Sequence, residues 1–372
     1  MLGALALAAA PAIAASPKQA DAKLDRALGN LVEMDGGPPG IGVIVDRGRR
    51  ARLHRAGVGI VPSGRPFRKR DHTRIASVAK AFSGAVALRL VDRGRLSLDD
   101  TIGELLPNLP AAWSRVTLEQ ALHHTAGLPD YIGSQEFLDA FISNPRRYFS
   151  PHDLIEDVAD EGLAFSPGSR YDYSDTDNIV VGLMAQAATG GSYEGLLRRL
   201  VYNRLRMPRT IMPDGFLMPR PFIHGYAVEP GQAAENVSQV FSASGAWASG
   251  GIVSTPADLN RFIRGYGGGE LFAESIREQQ FEFVPGGESE PPGPGENAAG
   301  LGIFRYDTAC GRVFGHTGSF PGYTQFAAVT RNGRRSVTVS ANTQLDVRIG
   351  APGVFDELRR VFRLAVCAVR AG

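Results

Sequence analysis

The 372-residue chain holds only two cysteines, two tryptophans and four lysines. After residue 15 no apolar run approaches the ~18 residues that a membrane-crossing helix needs, so no stable membrane span is expected. An excess of one charge is missing too: 40 Lys and Arg face 38 Asp and Glu. No basic stripe interleaved with aromatics appears, which argues against a nucleic acid as partner. There is no internal repeat and no metal-ligand spacing. His123 and His124 are adjacent, and neighbouring residues on a helix point apart, so both read as structural and no metal or organic cofactor is expected. A Gly-x-Ser-x-Gly elbow is also absent, which disfavours hydrolases of that design. Cys310 and Cys367 leave two readings open, a single disulfide or two buried thiols.

Residues 1–15 are almost wholly small and apolar. Ile13-Ala-Ala15 before Ser16 fits a signal-peptidase site, so this run is expected to be a cleaved export signal and the protein to be secreted, extracellular or periplasmic. Beyond it, Asp21–Glu33 reads as a helix with Leu24, Leu28, Leu31 and Val32 on one face. Ile41–Val45 is a β-branched strand, with Ala51–Gly59 as its hairpin partner. Val78–Val91 is the most apolar helix, stopped at Gly94. The pattern stays helical to about Leu205, including Asp177–Thr189, and turns irregular from Met207 to Gly231. Thr255-Pro256 starts another helix. Pro285–Ala299, rich in Pro and Gly, reads as a solvated surface loop. Gly302–Tyr306, Phe326–Thr330 and Ser336–Ala341 are strand-like, with Asn332-Gly333 as a hairpin turn, and Val354, Leu358, Val361 and Ala365 mark a last helix. Strands therefore sit at both ends of residues 16–372, forming a sheet lobe of about 24–76 and 250–370, with an inserted helical lobe of about 77–249. The fold class is mixed α/β.

Ser77-Val-Ala-Lys80 carries the strongest chemical signal. Residues three apart on a helix share a face, which lets the Lys80 amine reach the Ser77 hydroxyl. A serine is a poor nucleophile until a neighbouring base takes its proton, and a lysine can serve when burial lowers its pKa. Lys80 is the only charged residue between Ser77 and Leu88. By chance alone such a match recurs in roughly one of four chains of this composition, so an ordinary surface lysine stays open on this motif alone.

Two further segments narrow the choice. Tyr173-Ser-Asp175 precedes an apolar helix, and His316-Thr317-Gly318-Ser319 follows a strand. The order and spacing of the three motifs resemble the Ser-x-x-Lys, Tyr-x-Asn and His/Lys-Thr-Gly set of penicillin-recognising serine enzymes. Leu122–Tyr131, Gly245–Gly251 and Cys310–Tyr323 extend the likeness to secreted D-alanyl-D-alanine carboxypeptidases related to class C β-lactamases, over about Ile41 to Cys367. The resemblance implies an antiparallel sheet flanked by helices with an all-helical insert. It implies Ser77 as acylated nucleophile, with Lys80 and a Tyr173 phenol of lowered pKa as proton relay. Thr317 and Ser319 hydroxyls on the His316–Gly318 strand would bind a substrate carboxylate, the Ser77 and Ser319 N–H groups would form the oxyanion hole, and Trp247 would line the pocket. It also implies a Cys310–Cys367 bridge. The expected function is a serine DD-carboxypeptidase acting on peptidoglycan stem peptides or similar small acyl substrates, with β-lactams as acylating ligands. The alternatives are an esterase, a D-amino-acid amidase, a weak β-lactamase, or a penicillin-binding protein without turnover.

Asp175 departs from the family pattern, which has Asn. An ionised carboxylate only accepts hydrogen bonds, and beside Lys80 it would hold the amine protonated. Phe304 aligns with a family Arg that holds the terminal carboxylate, while Arg305 is expected on the opposite strand face.

Overall fold

The computed structural model describes residues 16–48 and 51–371. The expected export signal at 1–15 lies outside them. Eight strands form the main sheet: β1 Gly40–Asp46, β2 Ala51–Gly57, β3 Val284–Pro285, β4 Glu296–Gly300, β5 Ile303–Thr308, β6 Gly311–Phe320, β7 Tyr323–Val329 and β8 Ser336–Ala341. They run antiparallel in the order β2-β1-β8-β7-β6-β5-β4-β3. The N-terminal hairpin thus joins the C-terminal strands through β1 and β8, where Val43 faces Val339 and Val45 faces Val337. Strand alternation gives each face its own set of apolar side chains.

Five helices organise the packing: α1 Pro17–Glu33, α2 Ala79–Val91, α3 Asp175–Thr189, α4 Pro256–Gly268 and α5 Val354–Arg370. α1 starts at a capping box between Ser16 and Gln19. Its Leu24, Leu28 and Leu31 share one core with Val361 and Ala365 of α5 and with Val43, Phe326 and Val339 of the sheet. The Cys310–Cys367 disulfide ties the β5–β6 turn to the last turns of α5, closing a sequence separation of 57.

On the other sheet face lies the helical body. All of α2 except Arg89 and Val91 is buried, so its apolar character runs around the whole helix. Phe82 of α2 stacks on Phe262 of α4 with ring centroids 3.5 Å apart. Gly84 permits the close approach of the β4–β5 turn: a Cβ there would lie 2.6 Å from Tyr266 Oη and 3.0 Å from Gly302 Cα.

The segment expected as a solvated loop at 285–299 is instead folded against the sheet. It contains β3 and β4, and Gly287, Ser289, Pro291 and Gly293 are buried. Side chains of the sheet region hold its polar groups: the Thr317 hydroxyl donates to Pro291 O, Tyr171 to Glu288 O, and Tyr306 to Ser289 Oγ at 3.0 Å. Proline and glycine rule out a helix there, but tertiary donors supply the partners that local structure does not.

Candidate active site

Ser77 lies in a 3₁₀ turn, Ala76–Val78, that runs directly into α2. Ala76 has φ of +51°, in the region that non-glycine residues rarely adopt. The β5 pairing of β6 ends at Gly315, so the edge from His316 onward faces this turn. Gly318 makes the approach possible: a Cβ there would fall 2.8 Å from both Ile75 O and Ser77 N. Nucleophile backbone and strand edge are thereby held side by side.

Lys80 follows one turn later with no exposed side-chain surface. Its Nζ donates to Ser77 Oγ at 3.2 Å, to Asp175 Oδ1 at 2.6 Å and to Ser249 O at 3.2 Å. Three acceptors match the three N–H bonds of an ammonium and leave no lone pair facing Ser77. Asp175 is the first residue of α3, and its backbone N–H donates to Asp130 Oδ1 at 3.0 Å.

Tyr173 stands beside this pair, with Lys80 Nζ 4.9 Å from its ring centroid. Its buried hydroxyl has no hydrogen-bond partner in good geometry among the described residues. Burial first, and the Asp175 carboxylate second, push this phenol well above the usual range, and nearby Ser77 opposes them only weakly. The expectation of a lowered phenol is therefore corrected: burial, with the Asp175 carboxylate adding to it, raises the phenol instead. His124, at φ +57°, packs its ring 4.6 Å from that of Tyr173 and bonds Asp177 Oδ2 through Nδ1 at 2.8 Å. Burial drives the pKa of His124 down and that of Asp177 up, and the contact between them buttresses the tyrosine. His123 bonds Glu282 O away from the site.

His316 is fully buried, with Nδ1 bonded to Thr317 O at 2.6 Å and Nε2 unpartnered. Burial lowers its pKa to about 3, so it is a neutral imidazole. Ser319 reaches the cleft, donating to Asp346 Oδ2 at 3.4 Å. Two expected substrate contacts are placed elsewhere. Thr317 is buried under the 286–292 strap, its hydroxyl already bonded to Pro291 O. Trp247 lies in the helical core, packing on Tyr193 at 4.9 Å and donating Nε1 to Glu194 at 3.0 Å. Gly182 admits the indole, since a Cβ there would sit 2.7 Å from it. Phe304 packs 5.0 Å from His316, while Arg305, on the other face of the strand, pairs with Asp307 two residues on at 2.9 Å.

These residues open onto a cleft of about 640 Å³ lined by Ser77, Tyr173, Asp175 and Ser319. Sequence reasoning missed its other wall. Glu288 and Glu290 of the strap line it, as do Asp172, Asp346 and, as the single cation among the described residues, Arg348. No local pattern flagged these acids; only the tertiary fold of the strap brings them to Ser77. Among the described residues no cluster of His, Cys, Asp and Glu fit to hold a metal ion is found.

Comparison with known proteins shows the family to which the chain belongs. Penicillin-binding protein 4* of Bacillus subtilis (strain 168) is 24% identical over 79% of this chain, a match spanning 65% of that relative's length. The crystal structure of a D-stereospecific amidohydrolase from Streptomyces sp. superposes with a TM-score of 0.78 at 26% identity, covering 91% of this chain and 98% of that one. The D-amino acid amidase of Ochrobactrum anthropi SV3, complexed with D-phenylalanine, shares the fold at a TM-score of 0.80, with 22% identity over 93% of this chain and 98% of that one. The pattern of the Beta-lactamase family matches residues 22–353, and with that span the chain belongs to the beta-lactamase family of serine hydrolases.

Proposed function

We propose that the chain hydrolyses the amide bond of small acyl substrates that carry a free ammonium group, through an acyl-enzyme on Ser77. The observation that carries this reading is the charge of the cleft. Asp172, Asp175, Glu288, Glu290 and Asp346 line it, against Arg348 alone among the described residues. Asp175 is paired with Lys80 and Asp172 with Arg170, which leaves three carboxylates facing one guanidinium that is 80% exposed and 3.9 Å from Glu290. Such a wall attracts a cation and repels a carboxylate. The 26% identical D-stereospecific amidohydrolase supports an amide substrate of D configuration.

In this mechanism Lys80 passes one proton to Asp175 across their 2.6 Å contact, and the neutral amine then takes the Ser77 proton as Oγ attacks the carbonyl. A buried ion pair is costly to desolvate, so moving a proton within it is a modest step. The oxyanion is stabilised by the backbone N–H groups of Ser77 and Ser319. Tyr173, a neutral phenol, gives its proton to the leaving amine and regains one from Lys80. Water then attacks the ester along the reverse route, releasing the acid and restoring Ser77, and Asp175 returns its proton to Lys80. The disulfide supports an oxidising, exported setting.

A DD-carboxypeptidase reading is favoured by the motif order and by the penicillin-binding relative. It needs donors for a terminal carboxylate; here Thr317 is bonded to Pro291, Phe304 offers none, and the cleft donors Ser319 and Arg348 each lie against a carboxylate, Asp346 and Glu290. The discriminating experiment compares kcat/KM for D-phenylalanine amide, its N-acetyl derivative and an N-acyl-D-Ala-D-Ala peptide. The free-amine amide is expected to exceed its acetylated form by about tenfold or more, the value of one desolvated charge contact. Preference for the acetylated amide or for the D-Ala-D-Ala peptide would overturn the reading.

A further inference from the structure

Asp130 has no part in the steps above, yet its carboxylate sits against the start of α3. Its Oδ1 accepts the backbone N–H of Asp175 at 3.0 Å and that of Ile132 at 3.4 Å. The contact is reciprocal, because Tyr131 N–H donates to Thr176 Oγ1 at 3.1 Å. Tyr131 Oη in turn donates to Gly245 O at 2.9 Å and meets Ser249 Oγ at 3.4 Å, while Ser249 O is an acceptor for Lys80. A closed loop of contacts therefore runs from 130–131 to 175–176, to Lys80, to Ser249 and back. Ser174, at the N-cap of α3, provides no side-chain cap, and its Oγ is unpartnered. Asp130 satisfies a free N–H of the helix from a segment 45 residues away. A local cap would serve the helix equally well, but only a distant one ties the backbone of Asp175 to the wall behind Lys80.

We infer that Asp130 is a positioning residue for the Lys80–Asp175 pair: it fixes the Asp175 backbone so that its carboxylate meets Nζ, and its own charge decides how firmly Asp175 is held there. The inference rests on the Ser77–Lys80 reading above. The charged and titratable groups facing Asp130 are Asp175 and Asp177 from α3, Lys80 from α2, and Tyr131 beside it. Burial, then the Asp175 charge, push Asp130 up to about 7, against the pull of Lys80 and of the two N–H groups. Below neutrality Asp130 is an uncharged acceptor. Above it, a second carboxylate repels that of Asp175 and competes for Lys80.

The test is the pH profile of kcat/KM from pH 5 to 9 for D-phenylalanine amide with wild type, Asp130→Asn and Asp130→Ala, alongside Ser77→Ala. Asparagine keeps the Oδ1 acceptor without the charge. It should stay within about threefold of wild type near pH 6 and decline less than wild type above pH 7, where loss of the substrate's ammonium at about pH 7.7–8.0 lowers both profiles alike. Alanine should fall by about tenfold or more at every pH, as the nucleophile's partner drifts. Equal rates for the asparagine and alanine variants near pH 6, or an unchanged alkaline decline in Asp130→Asn, would overturn the role. If Asp130→Ala does not fold, the Asp130→Asn profile decides alone. Full turnover by Ser77→Ala would overturn the nucleophile and this role together; lost turnover there, with either contrary Asp130 result, overturns the positioning role only.

Discussion

Lys80 and Asp175 meet at 2.6 Å with side-chain exposures of 0% and 11%, and breaking this pair from either side is the sharpest perturbation available. Removing one member of a buried ion pair costs about 3–5 kcal/mol, because the other charge stays buried without a counter-ion. Asp175→Leu should fall at the low end, about 3 kcal/mol, since it also relieves repulsion on Asp130. Lys80→Met should approach about 5 kcal/mol, since Asp175 is then left among Asp130 and Asp177 with no cation. Replacing both at once exchanges the pair for apolar volume, which is often neutral. The four proteins form a double-mutant cycle whose coupling approaches about 8 kcal/mol when the double variant is neutral. Urea unfolding followed by fluorescence and circular dichroism reads it, with coincident transitions as the check on two-state behaviour. A coupling below about 0.5 kcal/mol would mean that the two groups do not interact as described, and the proton path through them would fail.

Tyr173→Phe removes a buried hydroxyl that has no good hydrogen bond, so thermal stability should hold within about 1 kcal/mol while acylation falls by about 10²–10⁴-fold; a large melting loss or an unchanged acylation rate contradicts the relay. Gly318→Ala drives a Cβ to within 2.8 Å of Ile75 O and Ser77 N, and should abolish turnover while leaving the far-ultraviolet circular dichroism intact; wild-type rates would contradict the close strand approach. Asp130 is raised from 3.8 to about 7, so the folded state holds its proton more tightly than the unfolded chain does. Its contribution to stability is present below about pH 4 and lost as pH rises towards 7. The melting advantage of Asp130→Asn over wild type should therefore grow from pH 5 to pH 8, and an equal difference at both pH values would contradict the assignment.

What the sequence reveals is what local chemistry determines. The β-branched run at Ile41–Val45 and the Asn332-Gly333 turn announce β1 and the β7–β8 hairpin, because strand preference and turn geometry act within a few residues. The Ser77–Lys80 spacing brings hydroxyl and amine together for the same reason, with the helix beginning two residues after Ser77. The strap at 286–292 was hidden because its Pro and Gly content describes only what it cannot be, whereas its shape comes from Tyr171, Tyr306 and Thr317 donating to it. Trp247 misled for a comparable reason: its φ of +27° and the gap above Gly182 turn the indole into the core, and neither is written near residue 247. Asp130, Glu288, Glu290 and Asp346 form no pattern along the chain. Their meaning arises only from a cleft assembled by distant segments.

The nucleophile can be tested without knowing the natural substrate. Intact-mass analysis after exposure to a slowly released β-lactam, followed by tryptic mapping, should locate one adduct on the peptide Ile75–Lys80 and none in Ser77→Ala. An adduct that persists in the Ser77→Ala protein, or one mapped to another segment, would contradict the account.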